Sequence, residues 1–549
     1  MRTTPESQQA LDLEIAKLEQ VLAALKRRRN GLSPFSQLPT ELICKIFDLS
    51  IRCPETDRDL LISIRPERTR LSICHVSLHW RTVALEWPKL WSAIHIRDNT
   101  KVEYLDLVRK RAKDLPLSID FYGKILGYTD GTVLSPGVRH IFQVETERLT
   151  SVVLSAPIKV LRSLLPKIKA CSNAIQFLKL EAPHSAHGWT PVDVTQMDTF
   201  CNFPNLRYLE IANWNTLFIP PASFNPTSLT ALELVFRWLP AVPVIHAVFA
   251  SLRNVAQQLT SLSLGIVLPP HLEDASLDIA GTPPINLSSL ETIGVLSNGG
   301  RILSEIFSVL CIPSSIRTVA ICAQQGASSQ DVSLTLHHAC ANIPSPRFLQ
   351  IDDEFDPSDG TYEIDVCASK YPPSTPHSNA HNAVMLAFFA PPFPAHRPPG
   401  VEPYTFPIPL VNPANWLFSA LHHILVTCPF PAPFWKALAS VPTLRVIEYQ
   451  VTKFEDGFYR ALDETLASGQ VRTFYPSLNA IGITFEGEDL VWDVGYAERL
   501  AILLLRKHQG MGPPHFEWID FKGCSSHMDA DTLRLLFSVS KSVCWYRGF

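Results

Sequence analysis

No stretch of this 549-residue sequence approaches the ~18 uninterrupted apolar residues that a membrane-spanning helix requires. The nearest, Trp416 to Thr427, is interrupted by His422 and His423. No apolar run follows the opening Met1-Arg2-Thr3-Thr4-Pro5-Glu6, so nothing there reads as a secretory signal. The twelve cysteines are scattered singly from Cys44 to Cys544, without a CxxC pair or the dense even spacing of a disulfide scaffold. These absences predict a soluble protein with reduced, partly buried thiols, located in the cytoplasm or the nucleus. A strong charge of one sign is lacking too: the net charge of -4 gives no general attraction to nucleic acid or to acidic membranes.

Motifs that carry chemistry are also missing. The chain has no GxGxxG, phosphate loop, HExxH or GxSxG. His75 and His79 are four apart beside Cys74, but no second ligand pair follows at zinc spacing. Adjacent histidines such as His337-His338 and His422-His423 diverge on any helix and chelate poorly. The acids Asp352-Asp353-Glu354, Asp356 and Asp359 lack the offsets of a calcium loop and read as a solvated loop. No catalytic residue, cofactor or metal is expected, and the chain reads as a non-enzyme. A hydrolase or transferase whose site no spacing marks stands as the reading from another class.

What is present is apolar: 46% of residues are hydrophobic and only 18% charged, the balance of a folded chain. Its length suits several domains or one long repeat array. Residues 1–33 form a helical lead in which Leu11, Ile15, Leu18, Leu22 and Leu25 alternate by four and three, an a/d seam flanked by Glu14, Lys17, Glu19 and Lys26. Such a helix either packs back on the next segment or pairs with a second chain. Lys26-Arg27-Arg28-Arg29 at its end complements the helix macrodipole, with nuclear import as the other reading.

Residues 34–96 carry two helical blocks. The first, from Leu38-Pro39-Thr40-Glu41, places Leu42, Ile43, Ile46, Phe47 and Leu49 at helical spacing. The second aligns Ile73, Val76, Trp80 and Val83 on one face and closes with Pro88-Lys89-Leu90-Trp91. A bundle of roughly 50 residues is close to the lower limit for independent folding and wants a partner for its leftover apolar face. Leu-Pro-x-Glu-Leu-x-x-x-Ile-Phe followed by Val-x-x-x-Trp-Arg and Pro-x-Leu-Trp resembles an F-box, with Ser77 where that family often has Cys. The resemblance implies docking on the Skp-type adaptor of a cullin-based ubiquitin ligase. It assigns adaptor binding to Leu38, Pro39, Glu41, Leu42, Ile46, Phe47, Val76 and Trp80.

After the bundle a Leu-x-x-Leu-x-Leu phrase recurs ten times. It runs Leu149-Val152-Leu154, Ile175-Leu178-Leu180, Leu206-Leu209-Ile211, Leu229-Leu232-Leu234, Leu259-Leu262-Leu264, Leu290-Ile293-Val295 and Ile316-Val319-Ile321. It returns as Leu444-Ile447-Tyr449, Leu478-Ile481-Ile483 and Phe516-Ile519-Phe521, and Trp91-Ile94-Ile96 also fits. Each phrase predicts a short strand with one buried side. Turns such as Phe203-Pro204-Asn205 and Tyr475-Pro476-Ser477 lead into several copies. Helical segments at 160–170, 244–257, 302–310, 458–467 and 497–508 lie between them. Spacings range from 23 residues (Leu206 to Leu229) to 38 (Leu478 to Phe516), an irregular version of the leucine-rich repeat's ~20 to 29.

The predicted fold is therefore α/β: an N-terminal helix and a small helical F-box, then an irregular leucine-rich-repeat solenoid with a parallel sheet, over 97–370 and again over 414–549. A non-repetitive α/β domain is the competing fold. Between the two arrays, residues 371–413 hold twelve prolines and read as a proline-rich loop, excluding helix and interior strand.

Residues between the core positions alternate to the opposite, open face of the sheet. Tyr208, Glu210, Glu233, Glu448, Trp518 and Asp520, with Lys179 and Lys522, make that row a candidate partner surface, acid-rich with two aromatics. The whole chain resembles an F-box protein with leucine-rich repeats, of the divergent fungal kind. This implies a substrate-recognition subunit of a Skp-cullin-F-box ubiquitin ligase, holding adaptor and cullin at one end and an unidentified protein substrate at the other. The alternative is an interaction scaffold of the same build without a ligase role.

Overall fold

The computed structural model describes residues 5–51, 65–97, 99–123, 135–182, 203–212, 226–237, 242–267, 279, 281–324, 329–356, 361–369, 383–390, 417–427, 430, 432–451, 457–468, 475–485, 500–502, 504–505, 516–522 and 530–546. The chain is mixed α/β with extensive parallel sheet, and among the described residues no helix is long and apolar enough to cross a membrane. It divides into two compact units, Met1–Gly188 with Asn202–Ile211, and Trp189–Cys201 with Ala212–Phe549.

The first unit starts with a long helix α1 (Pro5–Gly31) and a 3-10 turn (Pro34–Gln37), followed by α2 (Thr40–Ile51), α3 (Arg65–Val76), α4 (Leu78–Glu86) and α5 (Lys89–Ser92). In α2, Ile43 and Phe47 are buried, and the Phe47 ring meets Trp80 edge-on at 5.2 Å and Trp87 at 6.2 Å. The expected single face through Ile73, Val76, Trp80 and Val83 is interrupted. Ser77 takes extended backbone and accepts from the Trp80 amide at 3.1 Å, capping a new helix. Ile73 and Val83 stay buried, while Val76 is exposed and Trp80 half-buried.

Strand β1 (Ala93–Ile96) grows directly out of this bundle. Buried Trp91 donates from Nε1 to the Ala84 carbonyl at 2.7 Å, and the Arg111 guanidinium lies 4.4 Å above the indole. Arg70, 1% exposed, donates to Glu67 at 2.6 Å and to the carbonyl of Ala93, the first residue of β1. The Tyr104 hydroxyl donates to the other Glu67 oxygen, and burial together with that carboxylate holds its pKa well above the usual phenol range. A desolvated charge thus ties α3 to the sheet, and charge-assisted bonds of this kind are the strong ones.

From β1 the sheet continues in chain order and in parallel through β2 (Leu117–Tyr122), β3 (Leu149–Ser155) and β4 (Phe177–Glu181). Helices α6 (Val102–Ala112), α7 (Pro136–Val144) and α8 (Ile158–Ala170) form the crossovers that parallel pairing requires. Next comes β5 (Tyr208–Ala212), where the amides of Arg207 and Tyr208 both donate to the Gln176 carbonyl.

The second unit repeats the scheme. Strands β6 (Ala231–Arg237), β7 (Ser261–Val267), β9 (Thr292–Ser297) and β11 (Thr318–Gln324) are parallel neighbours, with β8 (Ile285–Asn286) and β10 (Leu310–Cys311) pairing separately. Helices α9 (Val242–Val255) and α10 (Gly300–Val309) lie between them in sequence, and α11 (Ser329–Ala339) follows. After β11 the order departs from the chain. Strand β12 (Phe348–Asp356) turns into antiparallel β13 (Thr361–Ser369), which pairs with β14 (Ala383–Ala390), and β14 is the strand that lies parallel on β11. β12 then receives β15 (His423–Val426), and β16 (Val446–Val451), β17 (Ala480–Phe485), β18 (Trp518–Lys522) and β19 (Val543–Tyr546) complete a parallel run. Helices α12 (Ala432–Leu438), α13 (Gly457–Ala467) and α14 (Ala530–Val539) serve this part.

All thirty apolar residues of the ten phrases are buried. Their second members face one another in register, as in Leu262↔Ile293↔Val319 and Ile447↔Ile481↔Ile519. The first members close a turn, their amides donating three residues back, as Leu206 to Phe203, Leu290 to Leu287 and Leu478 to Tyr475. Strands β2 and β12 escape the phrase because Pro116 and Pro346 stand where the leading Leu is expected; β15 carries it as Leu421-Ile424-Val426. The proline-rich loop reading needs correction as well. Between Pro376 and Pro391 the sequence is free of proline, and there β14 forms as an interior strand; the rest of 371–413 lies outside the described residues. Likewise the acids Asp352 to Asp356 belong to strand β12 rather than to a loop.

Ile293 is packed between its partners on both sides, so Ile293→Ala should cost about 2–5 kcal/mol of stability. Hydrogen exchange should accelerate together in β7, β9 and β11; an increase confined to β9 would contradict the shared core.

Candidate protein-interaction surfaces

Two surfaces come from the residues singled out above. The first is the outer side of the helical bundle. On α2, Leu42, Ile46 and Leu49 follow i, i+4, i+7 and form a stripe beside the buried Ile43 and Phe47. Leu42 and Leu49 are 48% and 63% exposed, Ile46 and Leu38 are half-buried, and Pro39 and Glu41 are exposed. From α3 and α4, Val76 is exposed and Trp80 offers part of its indole. Sequence reading passed over Phe35, Leu71 and Leu78, which are also exposed. Their type was visible, but nothing in their spacing separates them from core positions.

Phe47 is the exception among the eight residues matched for adaptor binding. It has no exposed surface, so it shapes the bundle from inside and touches no partner. Leaving exposed apolar area in water forgoes roughly 25 cal/mol per Å², which makes this side of the bundle a candidate contact surface. Charge at its edges comes from exposed Glu41 and Lys45 and from Lys89, whose Nζ lies 3.4 Å from Asp48 Oδ2.

The second surface is the sheet face opposite the apolar ladder, and here the expected acid-rich row is largely self-neutralised. In the first unit the register aligns His95, Asp120, Val153 and Lys179. His95 Nδ1 stands 3.0 Å from Asp120, and Lys179 Nζ stands 2.7 Å from Glu210 Oε1. Tyr208 donates to the other Glu210 oxygen at 2.8 Å and stacks on Phe177 at 4.3 Å. Glu210 is buried beneath these partners, so the acid assigned to a partner is already satisfied.

In the second unit His423 Nε2 lies 2.9 Å from Glu448 Oε1, and Lys522 lies 3.2 Å from Asp520. The hydrogen-bonding imidazole of His423 holds the Glu448 carboxyl below the usual carboxylate range, against the opposing effect of burial. Trp518, half-buried, crosses Gly482; a Cβ there would come within 3.3 Å of the indole and 3.2 Å of Glu448 Cγ. Glu233 also has an interaction of its own. The row is therefore a polar, aromatic-bearing face with its charges mostly paired.

His75 and His79 fall on different helices, both exposed, and among the described residues no three His, Cys, Asp or Glu side chains converge on a metal position. No family model matches the chain, and no curated protein matches it either.

The Glu448 pairing gives a pH-dependent contribution. A carboxylate with a depressed folded pKa stabilises fully above its unfolded value, ~4.3, and that contribution is lost as pH falls through the lower folded value. Glu448→Gln should therefore flatten the acid limb of the stability profile and leave its slope above neutrality unchanged, as read by urea unfolding at stepped pH.

Proposed function

We propose that this chain is a substrate-recognition subunit of a Skp-cullin-F-box ubiquitin ligase. In this reading residues 34–96 are an F-box that docks the adaptor, and the parallel strands behind it are an irregular leucine-rich-repeat solenoid that holds a target protein. The observation that carries the reading is the solvent-exposed stripe Leu42, Ile46 and Leu49, with Pro39 and Val76, on residues that match the F-box phrase. The core beneath that stripe, Ile43 and Phe47, is complete without it, so the stripe is free to be covered by another polypeptide.

The joint behind the bundle supports the same reading. A receptor accelerates ubiquitin transfer by holding its target at a fixed distance from the catalytic subunit, and a stiff connection raises effective concentration where a floppy one dilutes it. The Arg70–Glu67–Tyr104 network and the buried Trp91 make that connection rigid at the start of β1. Paired charges and aromatic side chains on the open face of the sheet suit recognition of a folded, roughly neutral protein surface.

The test is co-purification of a Skp-type adaptor with the full chain. Leu42→Glu combined with Leu49→Glu should abolish retention without changing the circular dichroism or the unfolding midpoint, because both side chains point to solvent. Phe47→Ala should instead lower stability by about 3–5 kcal/mol. Failure of the unaltered chain to retain adaptor, or equal retention by the doubly substituted chain, would reject the assignment.

A further inference from the structure

The lead helix α1 touches little of the molecule it belongs to. Leu11, Ile15, Leu18, Leu22 and Leu25, the whole a/d seam, are each more than half exposed, as are Leu13 and Val21 beside it. Packing back on the bundle, one of the two fates open to this helix from its sequence, does not occur. A helix about 40 Å long with its apolar seam in water lacks the tertiary contacts from which most helices draw their stability.

Its charges are divided along its length. Asp12, Glu14 and Glu19, with Lys17 among them off the flanking positions, occupy the first part and Lys26, Arg27, Arg28 and Arg29 the last. With Ile15 and Leu22 at a positions and Leu11, Leu18 and Leu25 at d, the flanking e and g positions hold Asp12, Glu14, Glu19, Lys26 and Arg28. In a parallel pair Glu14 of one helix would face Glu19 of the other, like against like. Antiparallel pairing relieves most of this: Asp12 meets Lys26 and Glu14 meets Arg28, each twice by symmetry, and Glu19 alone meets its own copy across the two-fold axis. The core layers are then Ile15 on Leu25 and Leu18 on Leu22, with Leu11 under the stem of Arg29.

We infer that α1 is a self-association element that pairs antiparallel with α1 of a second copy of this chain. Sterics favour the same orientation. The bundle starts within a few residues of the end of α1, so antiparallel helices carry their bundles at opposite ends, whereas parallel ones would crowd both at one end. The inference does not rest on the ubiquitin-ligase reading, since it uses only residues ahead of the F-box-like segment. A seam of about three heptads makes a reversible dimer, one that weakens with added salt.

Sedimentation equilibrium of the full chain over a wide concentration range tests it. The unaltered chain should show a monomer–dimer equilibrium, and Leu18→Glu with Leu22→Glu should leave monomer only, with the fold retained by circular dichroism. Asp12→Lys with Glu14→Lys should weaken the dimer by about tenfold or more, as should Lys26→Glu with Arg28→Glu, and mixing these two variants should restore a 1:1 dimer. A monomer at every concentration, or a dimer that survives glutamates at 18 and 22, would overturn the proposal. If the Asp12→Lys, Glu14→Lys variant dimerised more tightly, the helices would be parallel and the antiparallel assignment wrong.

Discussion

Each strand that carries the apolar phrase has to bury a pair of apolar side chains, two residues apart, that it cannot cover alone. Residues such as Leu262, Ile293 and Val319 are shielded only because the equivalent pair on the next strand stands beside them in register. That requirement dictates the rest. Parallel strands demand a crossover between them, and among the described residues helices such as α6, α7, α8, α10 and α13 supply it. The opposite side is left for polar residues, and the turn before each strand is forced into a narrow range of shapes.

Those turns contain a polar regularity that the apolar pattern hides. The residue just before the leading apolar position is repeatedly Asn, Ser or Thr, and its side chain donates to a backbone carbonyl of the preceding repeat. Asn205 reaches Asn173, Ser289 reaches Gln257, Thr443 reaches Leu421 and Ser477 reaches Pro442, at 2.7, 2.7, 2.7 and 2.6 Å. A side-chain cap is thus supplied just ahead of the phrase in these copies. Carbonyls that would otherwise be stranded between strands are satisfied without a strict Asn ladder, which is how an array with such uneven spacing keeps its polar groups paired.

The strands and most helices were legible because their signal is periodic: a buried pair two apart, then an amphipathic run. Helices expected at 160–170, 302–310 and 458–467 form at Ile158–Ala170, Gly300–Val309 and Gly457–Ala467. What was illegible depends on single residues acting against the pattern. Ser77 ends one helix and begins the next by capping, and prolines at 116 and 346 disguise two strands. The candidate surfaces were half legible. Alternation correctly names the side of the sheet on which Glu210 and Glu448 stand, but it cannot see that Lys179 and His423, one strand away, have already taken their charges. In the bundle, Phe47 and Leu42 look alike in sequence, and the ring contacts with Trp80 and Trp87 place one of them inward.

The insertion of β14 against β11 bears on how the protein is made. During synthesis β12 and β13 leave the ribosome before β14, yet the edge of β11 belongs to β14. A chain that added each strand to the last as it emerged would seat β12 there instead, in the same parallel sense and with an equally apolar pair. The edge of β11 is completed only by residues up to 390, so β12 and β13 cannot reach their final places by simple addition of each strand to the last. β15, seated on β12, and the parallel run after it thus join the sheet at the far side of the β12–β13–β14 meander from β11.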